Sequence, residues 1–238
     1  MSKSSTSLQS RILFEDNHLI IINKLAGELV QGDRTNDETL ADKVKAYIKL
    51  NENKPGAVYL GIPHRLDRPV SGVVIYTKTS KALSRMSELF RLRNIQKIYW
   101  AISDSEPKTK QGQLTHFMGK NDKQNKSYTS DIEKPGYKEA VLNYRVLSSS
   151  DRYHLLEVEL ETGRHHQIRA QLASINCIIK GDLKYGAKRS NSDASIHLHS
   201  RKTSFTHPIK KTEIAVTAPC PEDSLWNYFE SELEGSII

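Results

Sequence analysis

The residues best equipped for chemistry stand in one run, GIPHRLDRPVSG, from Gly61 to Gly72. Asp67 lies there between Arg65 and Arg68, with His64 just upstream. A carboxylate held beside guanidinium groups keeps its charge, which suits a nucleophile better than a general acid. The same spacing is also that of a solvated surface ion pair. Pro63, Pro69 and Gly72 bracket the run and make it a loop entering a strand. Loops seated on rigid strands are where reactive side chains are usually presented.

A second cluster is ETGRHHQIRAQL, Glu161 to Leu172. If a helix starts near His165, Arg169 shares the side of His165 and His166 while Ile168 and Leu172 face the core. Arg169 is then anchored yet available. An ordinary helix-face cation fits the same pattern, and either histidine could cap the helix or satisfy the core. Metal ligation is the least favoured of their roles.

Several chemistries are disfavoured by what is missing. Cys177 and Cys220 stand apart without C-x-x-C spacing, so they build neither a disulfide framework nor a four-cysteine zinc site; they read as incidental thiols of a reducing cytoplasm. Neither G-x-G-x-x-G after a strand nor G-x-x-x-x-G-K-[ST] occurs, which argues against a doubly wound nucleotide fold. No apolar run reaches the ~18 residues of a membrane span, and the first residues lack the core of a secretory signal. Charge points instead to a polyanion: 35 Lys and Arg against 28 Asp and Glu give a net charge of +7. A positive field of that sort favours polyanions, nucleic acid among them, and it is also found on many soluble proteins that are basic for no specific reason.

The elements that must position these clusters follow from periodicity. Residues 1–10 have no apolar pattern and read as a flexible tail, leaving residues 11–238 as one domain. Ile12–Phe14 and Leu19–Asn23 read as strands joined by a turn. Asp37–Leu50 carries Leu40, Val44, Tyr47 and Ile48 at helical spacing behind a cap at Asn36 or Asp37. Gly72–Tyr76 is a buried strand and Ser80–Arg91 an amphipathic helix. Lys97–Ile102, Ala140–Leu147 and Leu155–Leu160 read as antiparallel strands, and Lys120–Tyr137, rich in Lys, Asn and Ser, as a long surface loop. A helix over His165–Ser174, a turn at Gly181–Gly186, a strand over Ile214–Ala218 and a short helix over Ser224–Phe229 complete the chain. Runs of strands interrupted by a few helices predict an α+β fold around a mixed, mainly antiparallel central sheet.

The two clusters together resemble a known family. His64-Arg65-Leu66-Asp67-Arg68-Pro69-Val70-Ser71-Gly72 is similar to the H-R-L-D-R-x-T-S-G motif of the RluA-type pseudouridine synthases, and Gly163–Arg169 to their G-R-x-H-Q-I-R motif. EDNHLIIINKLAG, ending at Gly27, resembles E-D-x-x-L-x-V-x-N-K-P-x-G. KIYWAI from Lys97, GDLKYG from Gly181 and HLHSRKTSFTHP from His197 match further motifs in the family's order. Leu25, Pro69-Val70, His165 and Ser200 depart from the usual residues, and none of them removes a reactive group.

The resemblance implies a single catalytic domain, without a separate N-terminal RNA-binding domain, that isomerises uridine in structured RNA to pseudouridine. It implies Asp67 as the catalytic carboxylate, Arg169 as its ion-pair partner and Tyr99 as the ring stacked on uracil. Leu198 would wall the base pocket, Arg65 would fill the gap left by a flipped uridine, and His64, Leu66 and Ile168 would line the substrate. The alternative is a non-catalytic RNA-binding relative. Neither cofactor nor metal is expected. The partner would be ribosomal or transfer RNA, held in part by Lys120, Lys123, Lys126, Lys134, Lys138, Lys184, Lys188, Arg189, Arg201 and Lys202. A cytoplasmic monomer with no membrane association is the expected state.

Overall fold

The computed structural model describes residues 7–33 and 36–235. The chain divides into two compact units: the described residues through Ile95 with Lys202–Pro219, and Gln96–Arg201 with the described residues from Cys220 on. No linker marks the division. It falls at three places, at the entry to one strand, inside another and between Pro219 and Cys220, which is why the sequence reads as a single domain.

In the first unit, β1 (Ile12–Glu15), β2 (Leu19–Lys24) and β3 (Ser71–Thr77) form an antiparallel meander in which Leu19 faces Thr77 and Lys24 faces Gly72. Successive side chains of a strand point to opposite faces, and both faces here are covered. Leu19, Ile21, Val73 and Ile75 pack with Ala82 and Met86 of α2 (Ser80–Arg91). Ile20, Ile22, Val74 and Tyr76 pack with Leu40, Val44 and Ile48 of α1 (Leu40–Asn51). Burial on both sides explains the continuous apolar runs LIII and GVVIY. The α1 cap is Thr39, not Asn36 or Asp37: its hydroxyl accepts from the Asp42 N–H while the Asp42 carboxylate accepts from the Thr39 N–H. This reciprocal box satisfies two orphan donors.

Residues 1–6 of the expected tail lie outside the described residues. Gln9–Arg11 form a 3-10 turn, and Arg11 is buried against Glu28 at 2.7 Å.

The second unit is an antiparallel sheet in the order β4 (Gln96–Ser103), β8 (His154–Leu160), β7 (Lys138–Ser149), β5 (Gln111–Asn121), β6 (Lys126–Ser130). The expected long loop at Lys120–Tyr137 is corrected here. Gln111–Asn121 and Lys126–Ser130 form a hairpin, turned by Asn125 at φ +45°, whose half-exposed strands carry too few apolar residues to signal themselves by composition. α3 (Gln167–Ser174) packs Ala170 against Met118 and Ala140. It starts two residues later than expected because His166 takes a left-handed φ of +54°.

α4 (Ser224–Gly235) packs Trp226 and Phe229 on Trp100, Ile102 and Leu155. β9 (Leu198–Thr206) starts in the second unit and ends in the first, where its second half pairs antiparallel with β10 (Glu213–Thr217). The fold is α+β on a mostly antiparallel sheet, as expected. No helix among the described residues is long and apolar enough to cross a membrane.

Candidate active site

The Gly61–Gly72 run is a loop fastened at both ends to β3. Gly61 exchanges backbone hydrogen bonds of 2.8 and 3.0 Å with Thr77 at the end of that strand, and Ser71 begins it. A Cβ at position 61 would run into the Thr77 hydroxyl and Leu83, so the approach requires glycine. Midway, the Ile75 N–H donates to His64 Nε2 at 2.9 Å, and the His64 ring stacks on Phe90 of α2 with centroids 4.7 Å apart. His64 thus clips the loop to its supports. Leu66 packs on the α1 side of the sheet, whereas Arg65 is exposed.

Asp67 is half-buried at the turn of this loop, where its carbonyl accepts from the Val70 N–H at 3.1 Å. The next carbonyl, that of Arg68, accepts from the Gly27 N–H at 2.7 Å and from Lys24 Nζ at 3.1 Å. Lys24 Nζ also reaches the Leu25 carbonyl at 2.9 Å, and its side chain is fully buried. Burial pulls the Lys24 ammonium down to about 7, against the opposing pull of the Glu28 and Asp67 carboxylates. The Arg68 guanidinium bonds to the Gly27 carbonyl at 3.0 Å and to Asp37 at 2.9 Å. The loop is therefore tied to β2 on one side and to β3 and α2 on the other.

In the second unit, Arg169 is buried on α3 and meets Asp182 through two hydrogen bonds, Nε to Oδ2 at 2.7 Å and Nη2 to Oδ1 at 2.8 Å. A bidentate pair of this kind fixes the guanidinium plane. The Tyr185 ring covers the guanidinium carbon at 5.2 Å. The Tyr185 hydroxyl in turn lies 3.0 Å from His166 Nδ1 and accepts from the Ser127 N–H at 2.9 Å.

Gln167 holds the turn before α3. Its Oε1 accepts from the Arg164 N–H and the Thr162 hydroxyl, and its Nε2 donates to the Val141 carbonyl. Burial, then the Arg169 and His165 charges, hold the His166 imidazole down to about 2. His166 is thus a neutral ring of the support. Tyr99 is buried on β4 opposite Val158, Ile168 is buried beside Arg169, and Leu198 is the buried first residue of β9.

Of the expected residues, His64, Arg65, Leu66 and Asp67 thus share one loop of the first unit, and Tyr99, Ile168, Arg169 and Leu198 belong to the second. Arg201, expected among the RNA-facing cations, is turned inward: it pairs with Glu230 at 3.0 Å and lies 4.3 Å over the Trp100 ring. Lys24, Gln167, Asp182 and Tyr185 were given no role from sequence, although each falls in or beside a quoted motif. Among the described residues no group of three or more His, Cys, Asp or Glu side chains is placed to hold a metal ion. Burial pushes the Cys177 thiol to about 11 and that of Cys220 to about 12, so neither is a thiolate at neutral pH.

The family signature of RNA pseudouridylate synthases matches residues 18–174 of the chain, a span holding both the Asp67 loop and Arg169. The chain belongs to the RNA pseudouridylate synthase family. Its relatives include an uncharacterized RNA pseudouridine synthase of Bacillus subtilis, 34% identical over 218 residues, 89% of this chain and 69% of that one. Another is the ribosomal large subunit pseudouridine synthase D of Zymomonas mobilis, 31% identical over 222 residues, again 89% of this chain and 69% of the relative. Among solved structures, human RNA pseudouridylate synthase domain containing 4 superposes with a TM-score of 0.77 at 26% identity, covering 95% of this chain and 94% of that one. Pseudouridylate synthases are isomerases, so this chain is an enzyme of that class.

Proposed function

We propose that this pseudouridine synthase isomerises particular uridines of structured RNA, ribosomal RNA foremost and transfer RNA second, with Asp67 as the catalytic carboxylate acting on a flipped-out uridine. The observation that carries the reading is the Asp67 loop, fixed by Gly61 to β3, by His64 to β3 and to Phe90 of α2, and by the Arg68 carbonyl to β2. A reacting group must be held to within a fraction of an ångström of its target, and fixed supports do this without reorganisation at the moment of reaction. The ribosomal preference follows the Zymomonas relative and a ribosomal large subunit pseudouridine synthase C of Vibrio vulnificus, 29% identical over 223 residues.

The reaction breaks the bond from ribose C1′ to uracil N1, turns the base and rejoins it through C5; the C5 proton leaves and N1 gains one. Nothing is added or removed overall. Attack on C1′, addition at C6 and removal of a ribose proton all begin from the same carboxyl group. In this reading Arg169 orients Asp67, Tyr99 stacks on the uracil and serves the late proton transfer, and Leu198 and Ile168 exclude water. Arg65, exposed on the Asp67 loop, fills the gap that the everted base leaves. Eversion costs a few kcal/mol, offset by stacking and hydrogen bonds to the base.

Chemical mapping of pseudouridine across total RNA, with and without the gene, tests the reading and names the target. Loss of one or a few sites in large-subunit ribosomal RNA is expected. An unchanged map in ribosomal and transfer RNA would overturn it.

A further inference from the structure

A second feature lies wholly within the second unit, and its lysines, Lys120, Lys126 and Lys184, are among the cations expected from sequence to hold RNA. The tip of the β5–β6 hairpin is seated on the start of α3 and on the Leu183–Tyr185 turn. Ser127 Oγ lies 2.8 Å from His165 Nδ1, and Lys184 Nζ donates to the Asn125 carbonyl at 2.9 Å. The His165 and His166 rings stack with centroids 3.8 Å apart and planes 20° apart, and Tyr185 meets His166 edge-on at 5.7 Å. His166 is buried and His165 half-exposed, so His165 is the more accessible ring of the pair.

Cations lie around this pair of rings. Lys120 and Lys184 are close enough to bear on His166, and Lys120 sits opposite Ser127 across the hairpin. Lys126 Nζ is 5.1 Å from the Tyr185 ring centroid and 5.5 Å from that of Tyr128. Tyr128 and Leu183, 40% and 57% exposed, add flat and apolar surface among the lysines. The hairpin turn itself carries one carboxylate, Asp122, which Lys120 already neutralises at 2.7 Å.

Ammonium groups spaced around an anchored planar ring fit a ligand with negative charge and a flat face. Single-stranded nucleic acid offers both, since phosphates take the cations and every base has a π-face. An acidic protein segment would match the lysines alone and leave the ring without a planar partner.

We infer that the His165–His166 stack, with Lys120, Lys126 and Lys184 around it, docks one unpaired nucleotide of the RNA, its base on the His165 ring and its phosphates on the lysines. This rests on the RNA-acting reading above and adds a place where the substrate is gripped. Because stacking is indifferent to base identity, the docking place selects for an unpaired nucleotide at that position and not for a sequence.

The test is a binding titration with the Asp67→Asn protein, so that it does not depend on turnover and its failure is separable from failure of the isomerase reading. The probes are a fluorescein-labelled eight-nucleotide oligouridylate and an abasic oligomer of equal charge, followed by anisotropy at low salt. His165→Ala is expected to weaken oligouridylate binding about five-fold or more, the scale of one lost base stack, and to leave the abasic oligomer unaffected. His165→Phe should retain the affinity, and so should Ser127→Ala, which removes the hydroxyl but keeps the ring. Replacing Lys120 and Lys184 together by Ala should weaken both oligomers alike and reduce the salt slope by about 1.4. The inference is overturned if His165→Ala binds oligouridylate like the parent, or if Ser127→Ala loses as much as His165→Ala, which would make the imidazole only a latch for the hairpin.

Discussion

Arg169 and Asp182 face each other through two parallel hydrogen bonds of 2.7 and 2.8 Å, with neither side chain more than 5% exposed. The guanidinium that the family motif supplies is thus oriented by a carboxylate from a different motif, G-D-x-x-Y-G. Breaking a buried pair from one side costs about 3–5 kcal/mol, because a charge is left uncompensated. Asp182→Asn keeps an acceptor and should sit at the low end, lowering the melting temperature by roughly 6–12 °C. Turnover should fall at least about ten-fold with RNA affinity held, since the guanidinium plane is no longer fixed. A melting curve and single-turnover kinetics check this; an unchanged rate would mean that Arg169 is oriented by other contacts.

Lys24 tests the tie beneath the Asp67 loop. Lys24→Met keeps the volume but removes the bonds to the Leu25 and Arg68 carbonyls. The variant should melt close to the parent, because a buried ionisable group is lost along with its bonds, while turnover drops about ten-fold through misplacement of Asp67. In the parent the Lys24 ammonium is held at about 7 against an ordinary 10.5, so between those values the unfolded chain binds the extra proton. This contribution to stability therefore rises with pH from about 7 to 10.5. Denaturant unfolding at two pH values should show the rise in the parent and its absence in Lys24→Met.

His166 sets a limit on the acid side. Its imidazole is held at about 2 by burial and by the Arg169 and His165 charges, against 6.5 in the unfolded chain. The unfolded state takes up the proton first, so stability is lost as pH falls below about 6.5. His166→Gln should make stability less dependent on pH between 6.5 and 4.5, measured by urea unfolding. An equal slope in both proteins would place the acid sensitivity elsewhere.

Tyr99→Phe separates stacking from proton transfer. The ring is buried on β4 and the substitution removes only the hydroxyl. RNA affinity should stay within about two-fold, because the aromatic face remains, while product formation slows at least about ten-fold at the stage after glycosidic cleavage. Quenched-flow analysis of cleaved, unjoined intermediate reads this directly, and parent-like turnover would leave Tyr99 with stacking alone.

Much of the architecture is legible in the residues because it rests on local periodicity. The runs LIII and GVVIY are buried on both faces between α1 and α2, and α2 occupies Ser80–Arg91, capped by the Thr79 hydroxyl. α4 extends to Gly235, beyond the expected Phe229, because Leu233 continues its apolar stripe. Where partners are distant, the sequence is silent. The β5–β6 hairpin is stabilised by its seat on Tyr185 and His165, contacts that composition does not encode. The same holds at the site: Asp67 and Arg169 stand out by motif, whereas Lys24 and Asp182 act through partners 44 and 13 residues away in the chain. A buried lysine on carbonyl oxygens looks in sequence like any strand-end lysine.

The isomerisation proposed for the Asp67 carboxylate can be read from one exchangeable proton. Its most direct test is tritium release from RNA labelled at uracil C5, comparing the parent enzyme with Asp67→Asn on ribosomal and transfer RNA. Release by the parent, without free uracil, is expected, and none above background by Asp67→Asn, which should still bind RNA. Equal release by the two proteins would contradict it.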